Sequence, residues 1–121
     1  MNKKTKILIF HPYFRFGGVE RTNLRLSKVF IENNYEVEIV TFNHTDELKD
    51  EIDDMRIKII DLAVSRTISS IIPLIKYIKS QIDKYNIILL SNQNYVNLMS
   101  IIVKLYFKNN IKLIMTERNH P

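Results

Sequence analysis

Cysteine and tryptophan are absent from this 121-residue chain, and glycine occurs only twice. Without cysteine, neither a disulfide framework nor a thiolate metal site can form, which fits a reducing compartment. No apolar run approaches the roughly 20 residues of a membrane span, and the run at 7–10 is too short for the core of a signal peptide. We therefore expect a cytoplasmic protein, which leaves contact with a membrane surface open.

Both glycines, Gly17 and Gly18, lie together in one loop. Average usage of about 7% would give roughly eight glycines in a chain of this length. The pair follows a predicted strand at 6–10 and precedes a predicted helix at 19–33, so it exposes backbone N–H groups at a helix N-terminus, where anions bind. A tight strand-to-helix turn without a ligand is the alternative.

The net charge of +5 conceals an acidic segment at 46–54. The rest of the chain carries 17 basic and 7 acidic residues. Such a surface favours phosphates, anionic lipid or nucleic acid, or is simply a solvated basic face. The aromatic residues fall mostly within core patterns rather than between basic residues, so we do not expect nucleic-acid binding.

Strands and helices alternate along the predicted chain. The apolar and β-branched patterns predict strands at 6–10, 37–42, 56–62, 86–90 and 112–116, and helices at 19–33, 70–85 and 95–108. The segment at 43–55 reads as a polar loop. This order predicts an α/β fold with a Rossmann-like, doubly wound parallel sheet and helices on both faces.

The helix patterns also predict which side chains are buried. Helix 19–33 is expected to bury the stripe Thr22, Leu26, Val29, Phe30 and Asn33, and to end where Asn33 and Asn34 take a left-handed cap. Pro73 is tolerated only in the first turn of its helix. Helix 95–108 has its polar residues on one line and is otherwise apolar, which predicts burial on two sides or an interface.

Three segments should meet at the carboxyl edge of the sheet, where ligands bind in such folds. They are 11–18, 91–94 and 117–121. In the last, Arg118 is suited to clamp phosphate or carboxylate, His120 to exchange protons and Glu117 to orient either. An ordinary polar loop remains the alternative, and His11 is either a contact for substrate hydroxyls or a structural histidine.

The familiar nucleotide and hydrolase motifs do not occur. The chain has no GxGxxG, no GxxxxGK[ST] and no GxSxG. Three scattered histidines give no basis for a metal site. The chemistry of the predicted edge is therefore not assigned by any of these motifs.

Two segments carry a resemblance to a known family. Gly-Gly-Val-Glu-Arg at 17–21 and Thr-Glu-Arg-Asn-x-Pro at 116–121, in this order of elements, resemble the N-terminal domain of GT-B glycosyltransferases of the family 4 type, in the subgroup that builds bacterial surface polysaccharides. The resemblance implies retaining transfer of a hexosyl group from a nucleotide-sugar to a lipid-linked or oligosaccharide acceptor. It implies no metal or other cofactor.

The resemblance also implies roles for individual residues. Gly17 and Gly18 would approach the donor diphosphate. Contacts to the acceptor or the donor sugar would come from His11, Arg21, Glu117, Arg118, Asn119 and His120. Arg118 and His120 are candidate catalytic residues, although His120 occupies a position that is often acidic in this subgroup.

In the family, a first domain mainly holds the acceptor and a second mainly holds the donor. We expect 1–121 to be an incomplete first domain without the donor domain, inactive alone and placed at the inner face of the membrane in its parent. Two other interpretations stay open. One is a non-catalytic domain that binds a nucleotide or phosphorylated ligand, and the other is a membrane-surface domain that uses the apolar helix at 95–107 and nearby lysines.

Overall fold

The computed structural model describes residues 3–11, 18–42, 57–66, 68–92 and 94–116. The predicted loop at 43–55 lies wholly outside these residues. The strands are β1 (Lys4–Phe10), β2 (Glu36–Thr41), β3 (Lys58–Asp61), β4 (Tyr85–Ser91) and β5 (Ile111–Met115), and the helices are α1 (Gly18–Glu32), α2 (Ile71–Gln81) and α3 (Asn94–Phe107). Short 3₁₀ turns, Ile68–Ser70 and Lys108–Asn110, flank the last two helices.

Every predicted strand and helix is present, with shifted ends. The third strand is shorter than predicted, and α2 ends four residues before the predicted position at Tyr85. Pro73 lies in the first turn of α2, as required by its missing N–H. The element order is confirmed and the boundaries differ by a few residues.

All five strands pair in parallel in the order β3-β2-β1-β4-β5. β1 is central, with Leu8 opposite Glu38 of β2 and Leu89 of β4. From β1 the chain moves outward to β2 and β3, then crosses back to β4 on the other side and continues to β5. This confirms the predicted doubly wound, Rossmann-like sheet.

Two apolar clusters cover the two faces of the sheet. Leu8, Phe10 and Leu89 pack against α2 and α3, whereas Ile9, Ile39 and Leu90 pack against α1. The alternation follows from the pleat, because successive side chains of a strand point to opposite faces. Full burial of each Leu or Ile side chain stabilises the fold by about 2 kcal/mol.

The predicted buried stripe of α1 is wrong. Val29 is 52% exposed, and the fully buried positions include Asn23 and Ser27. Ser27 Oγ donates to the Asn23 carbonyl at 2.7 Å, and Asn23 has a side-chain partner described below. Because hydrogen bonds offset the desolvation of these groups, polar side chains occupy positions that an apolar pattern does not identify.

The end of α1 is confirmed at residue level. Asn34 has φ of 69°, in the left-handed region. Its N–H donates to the Ile31 carbonyl at 3.1 Å, and the Tyr35 N–H donates to the Phe30 carbonyl at 3.0 Å. The Phe30 and Tyr35 rings meet edge to face, with centroids 6.1 Å apart. These contacts form a Schellman motif with asparagine in the place usually taken by glycine.

The polar line of α3 faces inward. Asn97 and Ser100 are buried against the sheet together with Val96 and Val103. Leu98 and Leu105 face outward, 56% and 69% exposed. The burial is therefore on one side, and the remaining apolar side is a surface of the described structure.

A buried ion pair within the sheet is hydrogen-bonded to α2. Lys6 Nζ lies 3.2 Å from Glu38 Oε2, and it donates to Gln81 Oε1 at 2.7 Å. The Tyr77 hydroxyl donates to the other Glu38 oxygen. Lys6 also lies 3.9 Å from the Tyr85 ring centroid. With both charges paired and hydrogen-bonded, the burial of Lys6 is tolerated.

Candidate functional site

The site is at the carboxyl ends of β1 and β4, where the order of the sheet reverses. Crossovers to the two sides of β1 diverge here, because α1 lies on one face and α2 and α3 on the other. In open α/β sheets such a divergence leaves a crevice at the strand ends, and ligands bind there.

Helix α1 presents its N-terminus to this edge. It begins at Gly18, one residue before the predicted position. The first four N–H groups of any helix have no partner within the helix, and the helix dipole adds partial positive charge there. Arg21 is exposed in the first turn. A helix N-terminus with partial positive charge and a basic side chain therefore lie at this edge.

On the face of the sheet that α1 covers, the apolar side chains of β1, β2 and β4 are followed by polar side chains at the carboxyl ends of these strands. Ile9, Ile39 and Leu90 share the α1 face, and two residues further along each strand the same face carries a polar residue. We call these three residues, together with Asn23 of α1, the polar layer. Its members are all at least 94% buried: His11, Thr41, Asn92 and Asn23.

An amide pair ties the polar layer across the crevice. Asn92 Nδ2 donates to Asn23 Oδ1 at 2.7 Å, joining α1 to the residue after β4. Within the described part of the chain, Asn23 Nδ2 and Thr41 Oγ1 have no hydrogen-bond partner. Buried polar atoms normally have one, so these two groups retain hydrogen-bonding capacity next to the crevice.

His11, a predicted contact residue, is 1% exposed. Its backbone N–H donates to the Val40 carbonyl at 2.9 Å, which continues the β1–β2 pairing past Phe10. The structure thus places His11 at the predicted edge, inside the polar layer rather than on the surface.

A second polar network holds the ends of β4 and β5 together. Ser100 Oγ donates to Ser91 Oγ at 3.0 Å, and Ser91 Oγ donates to Asn97 Oδ1 at 2.6 Å. Asn97 Nδ2 then donates to the Thr116 carbonyl at 3.2 Å. The Thr116 N–H donates to the Ser91 carbonyl at 3.0 Å. Thr116, which precedes the predicted Glu117–His120 cluster, is therefore fixed at the carboxyl edge.

Five predicted site residues lie outside the described residues: Gly17, Glu117, Arg118, Asn119 and His120. Of the others, His11 and Gly18 are at the predicted edge and Arg21 is in the adjacent helical turn. Sequence reasoning placed Asn92 at this edge, within the segment 91–94, but missed Asn23, Thr41 and Asn97. Asn23 gave no signal in the sequence, because its partner Asn92 is 69 residues away.

Other features of the described residues do not add to this edge. Two shallow concavities lie at the opposite end of the sheet, one beside Thr5, Asn86 and Lys112 and the other beside Lys4 and Tyr35. Among the described residues, no three His, Asp or Glu side chains are grouped to hold a metal ion. None of the described helices has the length and apolar character needed to cross a bilayer.

Comparison with known proteins finds similarity to a family and to solved structures. The profile of Glycosyltransferase Family 4 matches residues 16–121. The fold is similar to a crystal structure of a glycosyltransferase from Rickettsia africae ESF-5, with a TM-score of 0.71 and 21% identity, over 98% of this chain. This chain spans only 31% of the length of that protein. A search of curated proteins finds no significant match.

Proposed function

The chain belongs to Glycosyltransferase Family 4, and from that premise we propose that it is the N-terminal, acceptor-side part of a retaining hexosyltransferase. The parent protein transfers a sugar from a nucleotide-sugar to a lipid-linked glycan during synthesis of a bacterial surface polysaccharide. The donor domain is supplied by a further part of the parent protein. The observation that carries this proposal is the polar layer beneath the N-terminus of α1, at the switch point of the sheet.

The first step of the proposal concerns the leaving group. As the bond between the sugar and the diphosphate breaks, negative charge develops on the diphosphate oxygens. The backbone N–H groups at Gly17 and Gly18 donate to these oxygens, and Arg21 adds positive charge beside them. Donors fixed in advance stabilise such charge strongly, because they need not reorganise during the reaction.

The second step concerns the acceptor. Asn97 fixes the Thr116 carbonyl, so the segment that follows leaves from the carboxyl edge. Glu117, Arg118, Asn119 and His120 then contact the acceptor or the donor sugar, with Arg118 and His120 as candidate catalytic groups. Holding acceptor and donor together lowers the barrier by removing the entropy cost of their encounter. This chemistry uses no metal or other cofactor.

His11 acts in this proposal as part of the floor of the site. Its burial favours an orienting role within the polar layer, and Asn23 Nδ2, which has no partner among the described residues, lies in the same layer. The protein works in the cytoplasm, at the inner face of the membrane where a lipid-linked acceptor is reached.

Gly18→Val in the protein expressed from its complete reading frame tests the donor site. The β-branched side chain prevents close approach of the diphosphate, so we expect the KM for the nucleotide-sugar to rise about tenfold or more, equivalent to about 1.4 kcal/mol of binding. Gly18→Ala should give a smaller rise. Release of nucleoside diphosphate measures the turnover.

Val29→Ala is the matched control, because Val29 is exposed on the same helix away from its N-terminus. The control should leave the KM for the donor unchanged, and circular dichroism should show that all variants are folded. A folded Gly18→Val variant with unchanged donor KM would remove the glycine turn from the site.

A further inference from the structure

The outward side of α2 and α3 combines exposed apolar side chains with lysines. On α2, Ile72 is 65% exposed and is followed at helical spacing by the exposed Lys76 and Lys79. On α3, Leu98, Ile102 and Leu105 are 56%, 39% and 69% exposed. We call these six residues the helix-pair face.

The two helices form one continuous surface. Lys79 Nζ lies 4.9 Å from the centroid of the Tyr106 ring, which joins the last turns of α2 and α3. Both helices pack on the same apolar cluster and run in the same direction from the carboxyl edge of the sheet. Ile72 and Leu98, near the helix starts, therefore lie at the end of the face closest to the candidate site, and the lysines lie further away.

The direction of the apolar side chains excludes a role in the described core. Val96, Val103 and Phe107 are at most 5% exposed and mark the inward side of α3. At 100° per residue, Leu98 and Leu105 lie almost opposite to them. A further helix packed beside α3 on the sheet would contact its flank near Lys104 rather than this outward line.

The charge around the face is almost entirely positive. Residues 62–116 contain seven basic residues and a single acidic one, Asp83. Asp83 follows α2, beyond its last turn. Neither helix of the pair contains an acidic residue. An occupant with an apolar interior and a negative surface complements this arrangement.

We propose that the helix-pair face docks on a bilayer that contains anionic lipid. Leu98, Leu105 and Ile72 enter the boundary between headgroups and acyl chains, and Lys76 and Lys79 contact the anionic headgroups. Apolar insertion and lysine attraction act together in such peripheral binding. The inference deepens the proposed function, because docking by this face brings the nearby carboxyl edge to a lipid-linked acceptor.

Vesicle binding tests the docking without any sugar transfer, so its failure is distinguishable from failure of the proposed function. The protein from the complete reading frame is sedimented with vesicles of phosphatidylcholine alone or with 30% phosphatidylglycerol (roughly the content that gives a clear negative surface potential). We expect binding to the anionic vesicles to be at least about tenfold stronger.

Two variants separate the contributions of charge and apolar contact. Lys76→Glu combined with Lys79→Glu should weaken binding to anionic vesicles at least about tenfold. Leu98→Ser combined with Leu105→Ser should weaken it on both vesicle types. The matched control is Lys28→Glu combined with Val29→Ser, at exposed positions on α1 across the sheet, and it should bind as the unaltered protein does.

Three results would overturn the proposal. One is equal or undetectable binding to the two vesicle types, and another is unchanged binding of the folded lysine variant. The third is a change of oligomeric state or loss of folding in the leucine variant, measured by light scattering and circular dichroism. This third result would assign the face to a second copy or to another part of the parent chain.

Discussion

Because of Tyr77, the stability of this protein should fall at alkaline pH. Burial and then the adjacent Glu38 carboxylate raise the pKa of Tyr77 above its ordinary value near 10. Above about pH 10, the unfolded chain therefore releases a proton that the folded chain keeps. The free energy of unfolding should fall as the pH rises through this range, whereas below it the contribution of Tyr77 is fully present.

The Tyr77→Phe variant should show a shallower fall of the unfolding free energy between about pH 9 and 11 than the unaltered protein. Since Tyr77 is only half-buried, solvent screening keeps the difference in slope below the limit of about 1.4 kcal/mol per pH unit. Urea denaturation at several pH values measures it. Tyr106→Phe, at an exposed tyrosine, is the control, and parallel profiles for Tyr77→Phe and the unaltered protein would contradict the prediction.

Asn34 is the residue in the left-handed conformation that ends α1. Alanine lacks the short polar side chain whose local hydrogen bonding lets asparagine adopt this conformation, so Asn34→Ala should lower the free energy of unfolding by about 1 kcal/mol. Asn34→Gly should leave it unchanged or raise it by a few tenths of a kcal/mol, because glycine has no Cβ to approach the following carbonyl oxygen. Chemical denaturation compares the two, and equal stability of both variants would show that the cap does not control this helix end.

Helix α3 depends on polar contacts that tie it to two strand ends. Asn97 accepts from Ser91 and donates to the Thr116 carbonyl. Asn97→Asp keeps the acceptor but replaces the donor with a carboxylate oxygen that faces a carbonyl. We expect it to lower the free energy of unfolding by about 1–3 kcal/mol at neutral pH.

The matched control for this variant is Asn109→Asp, in the exposed 3₁₀ turn after α3. This control should change stability by less than about 0.5 kcal/mol. Since protonation restores a donor to the buried acid, the deficit of Asn97→Asp should also shrink as the pH falls. A deficit that is independent of pH would indicate that Asn97 acts through packing alone.

The elements show what a single sequence determines here. The order of strands and helices, the doubly wound sheet and the asparagine end of α1 follow from local patterns, because periodicity and turn chemistry act within a few residues. The buried face of α1 does not, since Asn23 is stabilised by Asn92, a contact between distant parts of the chain. The orientation of α3 was not predicted, for the same reason. Asn97 and Ser100 face inward because they form hydrogen bonds with Thr116 and Ser91.

Candidate site residues divide in the same way. The position of Gly18 at the start of α1 could be predicted, because the glycine pair stands between a predicted strand and a predicted helix. The polar layer was not, since its members come from three strands and a helix and meet only through the order of the sheet. Thr41 ends β2 and Asn92 follows β4, but their common face is known only from the register of β1, β2 and β4.

At the scale of the whole molecule, the helix-pair face begins at the end of the fold where the proposed site lies. The starts of α1, α2 and α3 all lie at the carboxyl edge, as right-handed crossovers in a parallel sheet require. Ile114 and Met115 of β5, the last strand of the described sheet, are 45% and 42% exposed. In the proposed two-domain protein, this apolar edge at β5 is a surface on which further chain would pack.

The proposed function makes a prediction for residues 1–121 produced alone. In the proposal, this piece carries the glycine pair and the acceptor side, and the donor is held by the other domain. Correct placement of both substrates contributes about 7–11 kcal/mol to such reactions, so we expect turnover by the piece to be below roughly 10⁻⁴ of that of the complete protein. Release of nucleoside diphosphate from a panel of nucleotide-sugars, with a lipid-linked acceptor present, measures both.

The control is the complete protein carrying Val29→Ala, a substitution in α1, which both proteins contain. This control should keep its full rate. Turnover by the folded piece at a rate comparable to that of the complete protein would contradict the two-domain proposal while leaving the family and the fold unchanged.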